Sequence, residues 1–287
     1  MAGGMQRLTH HALAYYQFAA LRAANVNHGV FTRLGGVSEA PWASLNMSCS
    51  TGDAAEPVRE NRRRALDALG LAPERSLTSW LVHGNHVRVV SRDDLRIVGA
   101  NDVRADAMVT RDRGLALTLR FADCAPVLFY DPLKGAIGIA HAGWRGIVNG
   151  VLIETVRAMQ RAFGSRPQDI IAGIGPCIGP DKFEVDEAVA AQIQAAVRAS
   201  VVLRGGDGKT SGQGKEHASP SFPGQPITSK QKPHVDLWAA ARSQLEDAGV
   251  GCIEVAAICT ANNTHEWFSH RAEQGRTGRF GVIVALD

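Results

Sequence analysis

Residues 121–146 read FADCAPVLFYDPLKGAIGIAHAGWRG, and this segment carries the clearest structural pattern in the sequence. It contains two apolar strand candidates, 127–130 and 136–141, which are joined by a turn at Asp131 and Pro132. A Gly-Trp-Arg-Gly turn then leads into a helix. Both strand candidates are continuous apolar runs without polar alternation, and strands of that kind belong to sheets that are covered on both faces.

The same alternation of strand and helix patterns extends outward in both directions. Ala-rich amphipathic stretches predict helices, and runs rich in β-branched residues predict strands. The predicted helices span 56–69, 148–163, 184–199 and 235–248, and the further strands span 87–90, 107–109, 115–121, 170–174, 253–258 and 280–285. The pattern predicts an α+β fold in which mixed β-sheets are layered with helices in a single large domain.

One segment interrupts this pattern. Residues 204–233 are rich in Gly, Ser, Lys, Gln and Pro and cannot bury enough apolar area to offset the entropy of ordering them. We interpret them as a polar surface insertion within a domain that spans 26–287, and two domains joined by this segment are the alternative. Residues 1–25 are predicted to form an N-terminal extension, in which 12–24 suit either a short amphipathic helix or an irregular segment.

The composition excludes several classes of protein. Of the 287 residues, 45% are hydrophobic and 21% are charged, as in an ordinary globular enzyme. The net charge of 31 − 28 = +3 is too small for a nucleic-acid or membrane surface. No stretch approaches the roughly 18 to 20 apolar residues of a membrane span. With five cysteines, no CxxC pair and no signal peptide, we expect reduced thiols and a cytoplasmic location.

Cys124 and His141 stand at the ends of predicted strands, 17 residues apart, a separation that allows two adjacent strands to bring their side chains together. A thiol and an imidazole support two chemistries: they can ligate zinc or copper, or act as a cysteine nucleophile with its histidine base. A buried thiol beside a hydrogen-bonded core histidine is the plainer alternative.

Two further histidines flank Gly84 in the segment 82–87, VHGNHV. In an extended chain His83 and His86 face opposite sides, so we expect only one of them in a site. His83 lies where the chain would turn and suits a ligand, whereas His86 suits the surface. A set of His83, Cys124 and His141 leaves a fourth metal position open, as catalytic zinc sites do.

Candidate anion-binding residues surround these motifs. Arg145 lies between two glycines at a helix start, where backbone N–H groups also favour anions. Arg33 precedes a Gly-Gly turn, and a guanidinium is a natural fork for phosphate. Asn46, Ser269 and Arg271 are further candidates for substrate contacts, although an ordinary turn and a solvated loop explain their segments equally well.

Together these motifs resemble those of the laccase-domain, YfiH-like family, whose members are described as polyphenol oxidases and as purine nucleoside phosphorylases. The most specific matching motifs are ADC in FADCAPVLFYD and the run AHAGWRG. The other matches, in order from His28 to the C-terminus, are HGVFTRLGGVSEAPWASLN, VHGNHV, RADAMVT, GPCIGP, FEVD, DLWAAARSQL, CT, FSHR and GRTGRFG. The sequence departs from the family at Leu81, where glutamine is frequent, and in its long insertion.

The resemblance implies a Zn(II) site, with copper as the alternative metal, formed by His83, Cys124 and His141. It also implies phosphorolysis of adenosine, inosine, guanosine and 5′-methylthioadenosine to the base and the (methylthio)ribose 1-phosphate, with adenosine deamination as a second activity. The partners would be nucleosides and phosphate, with no nucleic-acid polymer and no membrane, in a monomer or homodimer. We expect Cys124, His141, Arg145 and Arg33 to be catalytic, the two arginines by holding phosphate.

Three alternatives use the same residues. A metal-free cysteine hydrolase or amidase, acting on peptidoglycan precursors, would use Cys124 as nucleophile and His141 as base, with Asp123 nearby. A copper-dependent polyphenol oxidase would need several copper centres, for which the chain offers few histidines at ligand positions. A nucleotide-binding module without catalysis is the third alternative.

Overall fold

A computed structural model describes residues 4–96, 104–204 and 232–287 of the chain. In these ranges the strands are β1 (Gln6–His10), β2 (Leu13–Gln17), β3 (Asn27–Phe31), β4 (Ser76–Thr78), β5 (Val87–Val89), β6 (Ala107–Thr110), β7 (Ala116–Phe121), β8 (Ala125–Asp131), β9 (Ala136–Ala142), β10 (Ile171–Ile174), β11 (Val202–Leu203), β12 (His234–Val235), β13 (Cys252–Val255) and β14 (Phe280–Ala285). The helices are α1 (Ala19–Ala23), α2 (Ala55–Asp67), α3 (Trp144–Val148), α4 (Val151–Phe163), α5 (Glu187–Ala195) and α6 (Leu237–Asp247).

Two six-stranded mixed sheets organise the fold. The first has the strand order β1-β2-β3-β14-β7-β4, and the second has the order β13-β10-β8-β9-β6-β5. The hairpin of β8 and β9 lies at the centre of the second sheet, with Pro126 opposite His141 and Ala125 opposite Ala142. This register places Cys124, which directly precedes β8, beside the end of β9. The predicted α+β class with mixed sheets and helices in layers is confirmed.

The core explains why the central strands are continuously apolar. Leu128 packs in a cluster shared with strands of the first sheet, whereas its neighbours Val127 and Phe129 pack in a cluster with α4 and α6. On the far side of the first sheet, α2 covers a third cluster. Strand β8 is therefore buried on both faces, because the first sheet covers one face and helices cover the other.

The N-terminal residues differ from their prediction. The segment that suited a helix at 12–24 forms β2 and then the short α1, and β1 precedes it. Both strands join the first sheet next to β3, so the residues predicted as an extension contribute to the sheet. Their pattern was ambiguous because β2, LAYYQ, is apolar on both sides over only five residues.

One predicted helix and the predicted insertion differ from their expected bounds or lie outside the described residues. The helix predicted at 148–163 is α4, which begins only at Val151 because Gly150 adopts a left-handed conformation (φ 76°) that separates it from α3. The predicted insertion, 204–233, lies almost wholly outside the described residues, but β11 and β12 on either side of it pair antiparallel. The described helices include none that is both long and apolar enough to cross a membrane.

Candidate active site

The structure brings together the three side chains predicted as metal ligands. His83 lies in the loop after β4, Cys124 in the turn between β7 and β8, and His141 near the end of β9. One ligand atom from each residue lies within 4.8 Å of the others. His141 is buried, Cys124 is half-buried and His83 is exposed, so the group opens to solvent on the His83 side. His86 is exposed and its ring binds the carbonyl of Arg104, away from this group.

Local backbone geometry determines where these side chains point. His83 and Asp123 both have positive φ, at 59° and 78°, a region that few non-glycine residues adopt. Gly143 packs against the thiol: a Cβ atom at that position would lie 2.9 Å from Sγ of Cys124. The glycine of the AHAGWRG motif is therefore needed for close approach of the backbone to Cys124.

Asp106 is the functional residue that the sequence reasoning missed. Its fully buried carboxylate accepts a hydrogen bond from Nδ1 of His141 at 3.0 Å. It also accepts the backbone N–H groups of His83 at 2.9 Å and Gly84 at 2.8 Å. Bonding at Nδ1 leaves Nε2 of His141 as the nitrogen available to a ligand. The sequence does contain a signal for it: in the motif RADAMVT, Asp106 directly precedes a buried apolar strand.

The site electrostatics couple the thiol to the imidazole. Burial acts to raise the pKa of Cys124, but the charge and hydrogen bonds of His141 and His83 outweigh it and lower that pKa to about 6. Burial acts to lower the pKa of His141, but Cys124 and Asp106 outweigh it and raise that pKa to about 9. The pKa of Asp106 is lowered, since hydrogen bonds from His141 and the Gly84 N–H outweigh its burial. The surroundings thus favour a thiolate, the ligating and nucleophilic form of cysteine.

Asp123 does not bind His141. Its carboxylate accepts hydrogen bonds from the Thr260 hydroxyl at 2.7 Å and from the Arg271 backbone N–H at 2.6 Å. Its carbonyl accepts the N–H of Ile178 at 2.9 Å. Asp123 therefore ties the turn that carries Cys124 to three distant positions, Ile178, Thr260 and Arg271. The carboxylate that is hydrogen-bonded to His141 belongs to Asp106 instead.

The three ligand candidates line a cavity of about 430 Å³. Its apolar lining includes Trp80, Leu81, Ile178 and Phe183. Its cationic wall consists of Arg120, Arg271 and Arg279, with Ser48, Ser50 and His270 adding polar groups. A lining that combines aromatic and apolar side chains with guanidinium groups suits a ligand with a flat ring and an anionic part.

Of the predicted anion-binding residues, only Arg271 lines this cavity. Arg33 instead pairs with Glu273 at 2.9 Å and packs over the Phe268 ring. Arg145 is exposed and lies over the ring of Trp144. Asn46 and Ser269 are buried, and Asn46 binds the carbonyl of Ser48 and the N–H of Arg279, which shapes the wall without facing the ligand space.

Known proteins are similar to this chain in sequence and in fold over nearly their whole length. Residues 27–287 match the family described as multi-copper polyphenol oxidoreductase laccase. A purine nucleoside phosphorylase of Deinococcus radiodurans is 37% identical, covering 93% of this chain and 92% of its own, and one of Bacteroides thetaiotaomicron is 34% identical over 91% and 92%. The crystal structure of YlmD from Geobacillus stearothermophilus superposes with a TM-score of 0.82 at 32% identity over 99% of both chains. The chain therefore belongs to the laccase-domain family of YlmD- and YfiH-like proteins that its motifs resemble.

Proposed function

We propose that this chain is a zinc-dependent purine nucleoside phosphorylase. In this proposal it cleaves adenosine, inosine, guanosine and 5′-methylthioadenosine with phosphate to the free base and the (methylthio)ribose 1-phosphate, and it deaminates adenosine as a second activity. The observation that carries the proposal is the open group of His83, Cys124 and His141 in a cavity with aromatic and cationic walls. The relatives named purine nucleoside phosphorylase support it. A cytoplasmic location and a monomer or homodimer complete the proposal.

The donor set fits zinc. Two imidazoles and one thiol, with their ligand atoms within 4.8 Å of one another, match the ligand types and number of catalytic zinc sites. Asp106 supplies the carboxylate that such a histidine ligand usually binds with its other nitrogen. Zinc bound here would supply Lewis-acid chemistry, which suits both a polarised oxygen and hydrolytic deamination. Copper is the alternative metal, since imidazole and thiolate also suit it.

The protein groups around the ligand space have separate tasks. Trp80, whose side chain is exposed, offers an aromatic surface against which a purine can stack. Arg120 and Arg279 offer guanidinium groups that offset the charge of phosphate as its oxygen attacks C1′ and the bond from C1′ to the base breaks. Asp106 keeps a proton on Nδ1 of His141, which holds the ring in one tautomer throughout.

The direct test is to incubate the purified protein with adenosine and phosphate and to measure adenine, inosine and ribose 1-phosphate. We expect all three products, and we expect Cys124→Ala to lose both activities together with bound zinc. Cys252→Ala, which removes an exposed thiol outside the cavity, is the matched control. Full phosphorolysis by a metal-free preparation would overturn the zinc role.

A second candidate function has its own supporting observation. Cys124, His141 and Asp106 form a thiol, imidazole and carboxylate series with a lowered thiol pKa, as a cysteine hydrolase or amidase requires. Metal content separates the two candidates. Stoichiometric zinc favours the phosphorylase, whereas inactivation by thiol alkylation without any effect of chelators favours the hydrolase acting on peptidoglycan precursors.

A copper-dependent polyphenol oxidase has less support. Among the residues that the structure describes, a single group of three or more His, Cys, Asp or Glu side chains is arranged to hold a metal. Multicopper oxidation of phenols by dioxygen requires several centres. Assays for phenol oxidation with added copper check this alternative directly.

A further inference from the structure

A second, smaller cavity adjoins the one that contains Cys124. It measures about 300 Å³ and shares Ser48, Ser50, Trp80 and Arg120 with the first cavity. Arg59 and Arg62 of α2 also line it. We call this space the arginine annex. Arg120 stands at the boundary, where it faces both the annex and the cavity with the predicted metal ligands.

Three arginines line the annex: Arg59 pairs with Glu56 at 2.6 Å, whereas Arg62 and Arg120 bind only uncharged oxygens. Nε of Arg62 donates to the carbonyl of Met47 at 2.8 Å. Arg120 donates to the Thr78 hydroxyl at 2.6 Å and to the carbonyl of Ser79 at 2.7 Å. Within the described ranges, neither guanidinium forms an ion pair with a carboxylate, in contrast to Arg63, which pairs with Glu60 on the same helix.

Burial makes this pair of cations unfavourable without an anion. Burial lowers the pKa of Arg62. Burial and then the charge of Arg62 lower the pKa of Arg120 to about 10. Two desolvated like charges are costly unless a negative charge offsets them. Among the described residues no carboxylate pairs with Arg62 or Arg120, since Glu56 pairs with Arg59, so these two arginines are available to an anion from solvent.

Hydroxyl donors complete the annex. The hydroxyls of Ser48 and Ser50 lie 2.8 Å apart and line both cavities. Asn46, predicted as a substrate contact, holds the backbone of this turn through the Ser48 carbonyl and the Ser48 N–H. Two guanidinium forks with two hydroxyls suit the several oxygens of a tetrahedral anion better than the single plane of a carboxylate.

We propose that Arg62 and Arg120, with the hydroxyls of Ser48 and Ser50, form the binding subsite for inorganic phosphate. This inference rests on the proposed phosphorolysis, in which phosphate must reach the cavity beside the nucleoside. It replaces the sequence-based assignment of phosphate to Arg33 and Arg145, since Arg33 already pairs with Glu273 and Arg145 lies outside the cavity. A nucleotide 5′-phosphate has the same chemistry and is the competing source of the anion.

Kinetics test the subsite. We expect Arg62→Gln to raise the KM for phosphate by about tenfold or more, with the KM for the nucleoside changed less than about threefold. Arg62→Lys keeps the charge and should restore part of the phosphate affinity, which a purely structural role of the side chain would not predict. Arg63→Gln is the matched control, because Arg63 is the next residue of α2 and its exposed side chain pairs with Glu60. It should leave the KM for phosphate unchanged. An unchanged KM for phosphate in a folded Arg62→Gln protein would overturn the proposal.

Phosphate binding measured without turnover separates this proposal from the phosphorylase assignment. The zinc-loaded protein is titrated with inorganic phosphate, and separately with adenosine 5′-monophosphate, by calorimetry. Phosphate binding that is lost in Arg62→Gln supports the subsite even if no nucleoside is cleaved, in which case the proposed reaction alone fails. Phosphorolysis by a protein whose phosphate binding is the same in the wild type and Arg62→Gln overturns the subsite alone. Binding of the monophosphate without inorganic phosphate also overturns it, in favour of a nucleotide.

Discussion

Oδ1 of Asp106 accepts a hydrogen bond from Nδ1 of His141 at 3.0 Å, between two side chains that are both buried. The same carboxylate accepts the N–H groups of His83 and Gly84. One acid therefore orients the ring of one predicted ligand and the backbone of another, which links the loop after β4 to the end of β9. Such partners raise the basicity of a ligating imidazole and fix its tautomer.

Asp106→Asn tests this arrangement. An amide retains one acceptor oxygen and presents an NH₂ group to N–H donors, so at least one of the three hydrogen bonds is lost. We expect zinc affinity to fall by about 10- to 100-fold, and turnover to fall with it at limiting zinc. Competition with a chromophoric chelator measures the affinity. Asp169→Asn, in a carboxylate paired with Arg166 outside the cavity, is the control, and equal zinc affinity in a folded Asp106→Asn protein would contradict the role.

Gly143→Ala tests the close approach to the thiol. The added methyl group would meet Sγ of Cys124 at 2.9 Å, a distance that forces either the thiol or the backbone to move. We expect loss of zinc and of most activity, with a folded protein by circular dichroism. Gly84→Ala is the comparison in the same neighbourhood, because its methyl group meets no atom closer than 3.7 Å. We expect a smaller loss of zinc and activity in Gly84→Ala. Equal losses in both variants would contradict a specific role of the contact between Gly143 and Cys124.

The strongest sequence patterns predicted the fold and the ligand group because they are local. The hairpin in 121–146 combines two apolar runs, and its ends carry Cys124 and His141. Pairing of β8 with β9 then brings the two residues together through the register alone. The short strands β1 and β2 were not predicted, because their pairing partners rather than their own pattern make them strands.

The cationic part of the site could not be predicted for a related reason. A sequence shows where arginines occur, but the choice between ion pair and ligand depends on partners that are distant in the chain. Arg33 is neutralised by Glu273, while Arg120 on β7 has only hydroxyl and carbonyl partners within the described part of the chain. Asp106 likewise acquires its importance from His141, which is 35 residues away.

Arg33→Ala should therefore lower the stability of the fold without weakening phosphate binding. The variant leaves the carboxylate of Glu273 without its guanidinium and removes the contact with Phe268. We expect the free energy of unfolding to fall by about 2 kcal/mol, because the pair is mostly buried, and the KM for phosphate to stay the same. Chemical denaturation and phosphate kinetics check the two parts. Arg7→Ala, which breaks a more exposed pair with Glu266, should cost about 1 kcal/mol or less; a raised KM for phosphate in Arg33→Ala would restore the original prediction.

His28 makes stability depend on pH. Its buried ring accepts the N–H of Phe18 at Nε2 and faces the carbonyl of Val26 with Nδ1, and burial lowers its pKa to about 4. The unfolded chain takes up a proton on this ring below about pH 6.5, whereas the folded chain does so only near pH 4. Between these values the unfolded state binds more protons, so stability is lost as the pH falls, by up to about 3 kcal/mol in total.

Urea unfolding of the metal-free protein between pH 7 and pH 4.5 measures this effect. We expect His28→Gln to be less stable than the wild type at pH 7, because the ring's hydrogen bonds and packing change, but to lose less stability on acidification. The two stability curves should therefore approach each other as the pH falls, since all other titrating groups are common to both proteins. His10→Gln, which changes a partly exposed ring, controls for the loss of a histidine. Parallel curves for the wild type and His28→Gln would show that the folded protein accepts the proton at His28 as readily as the unfolded chain does.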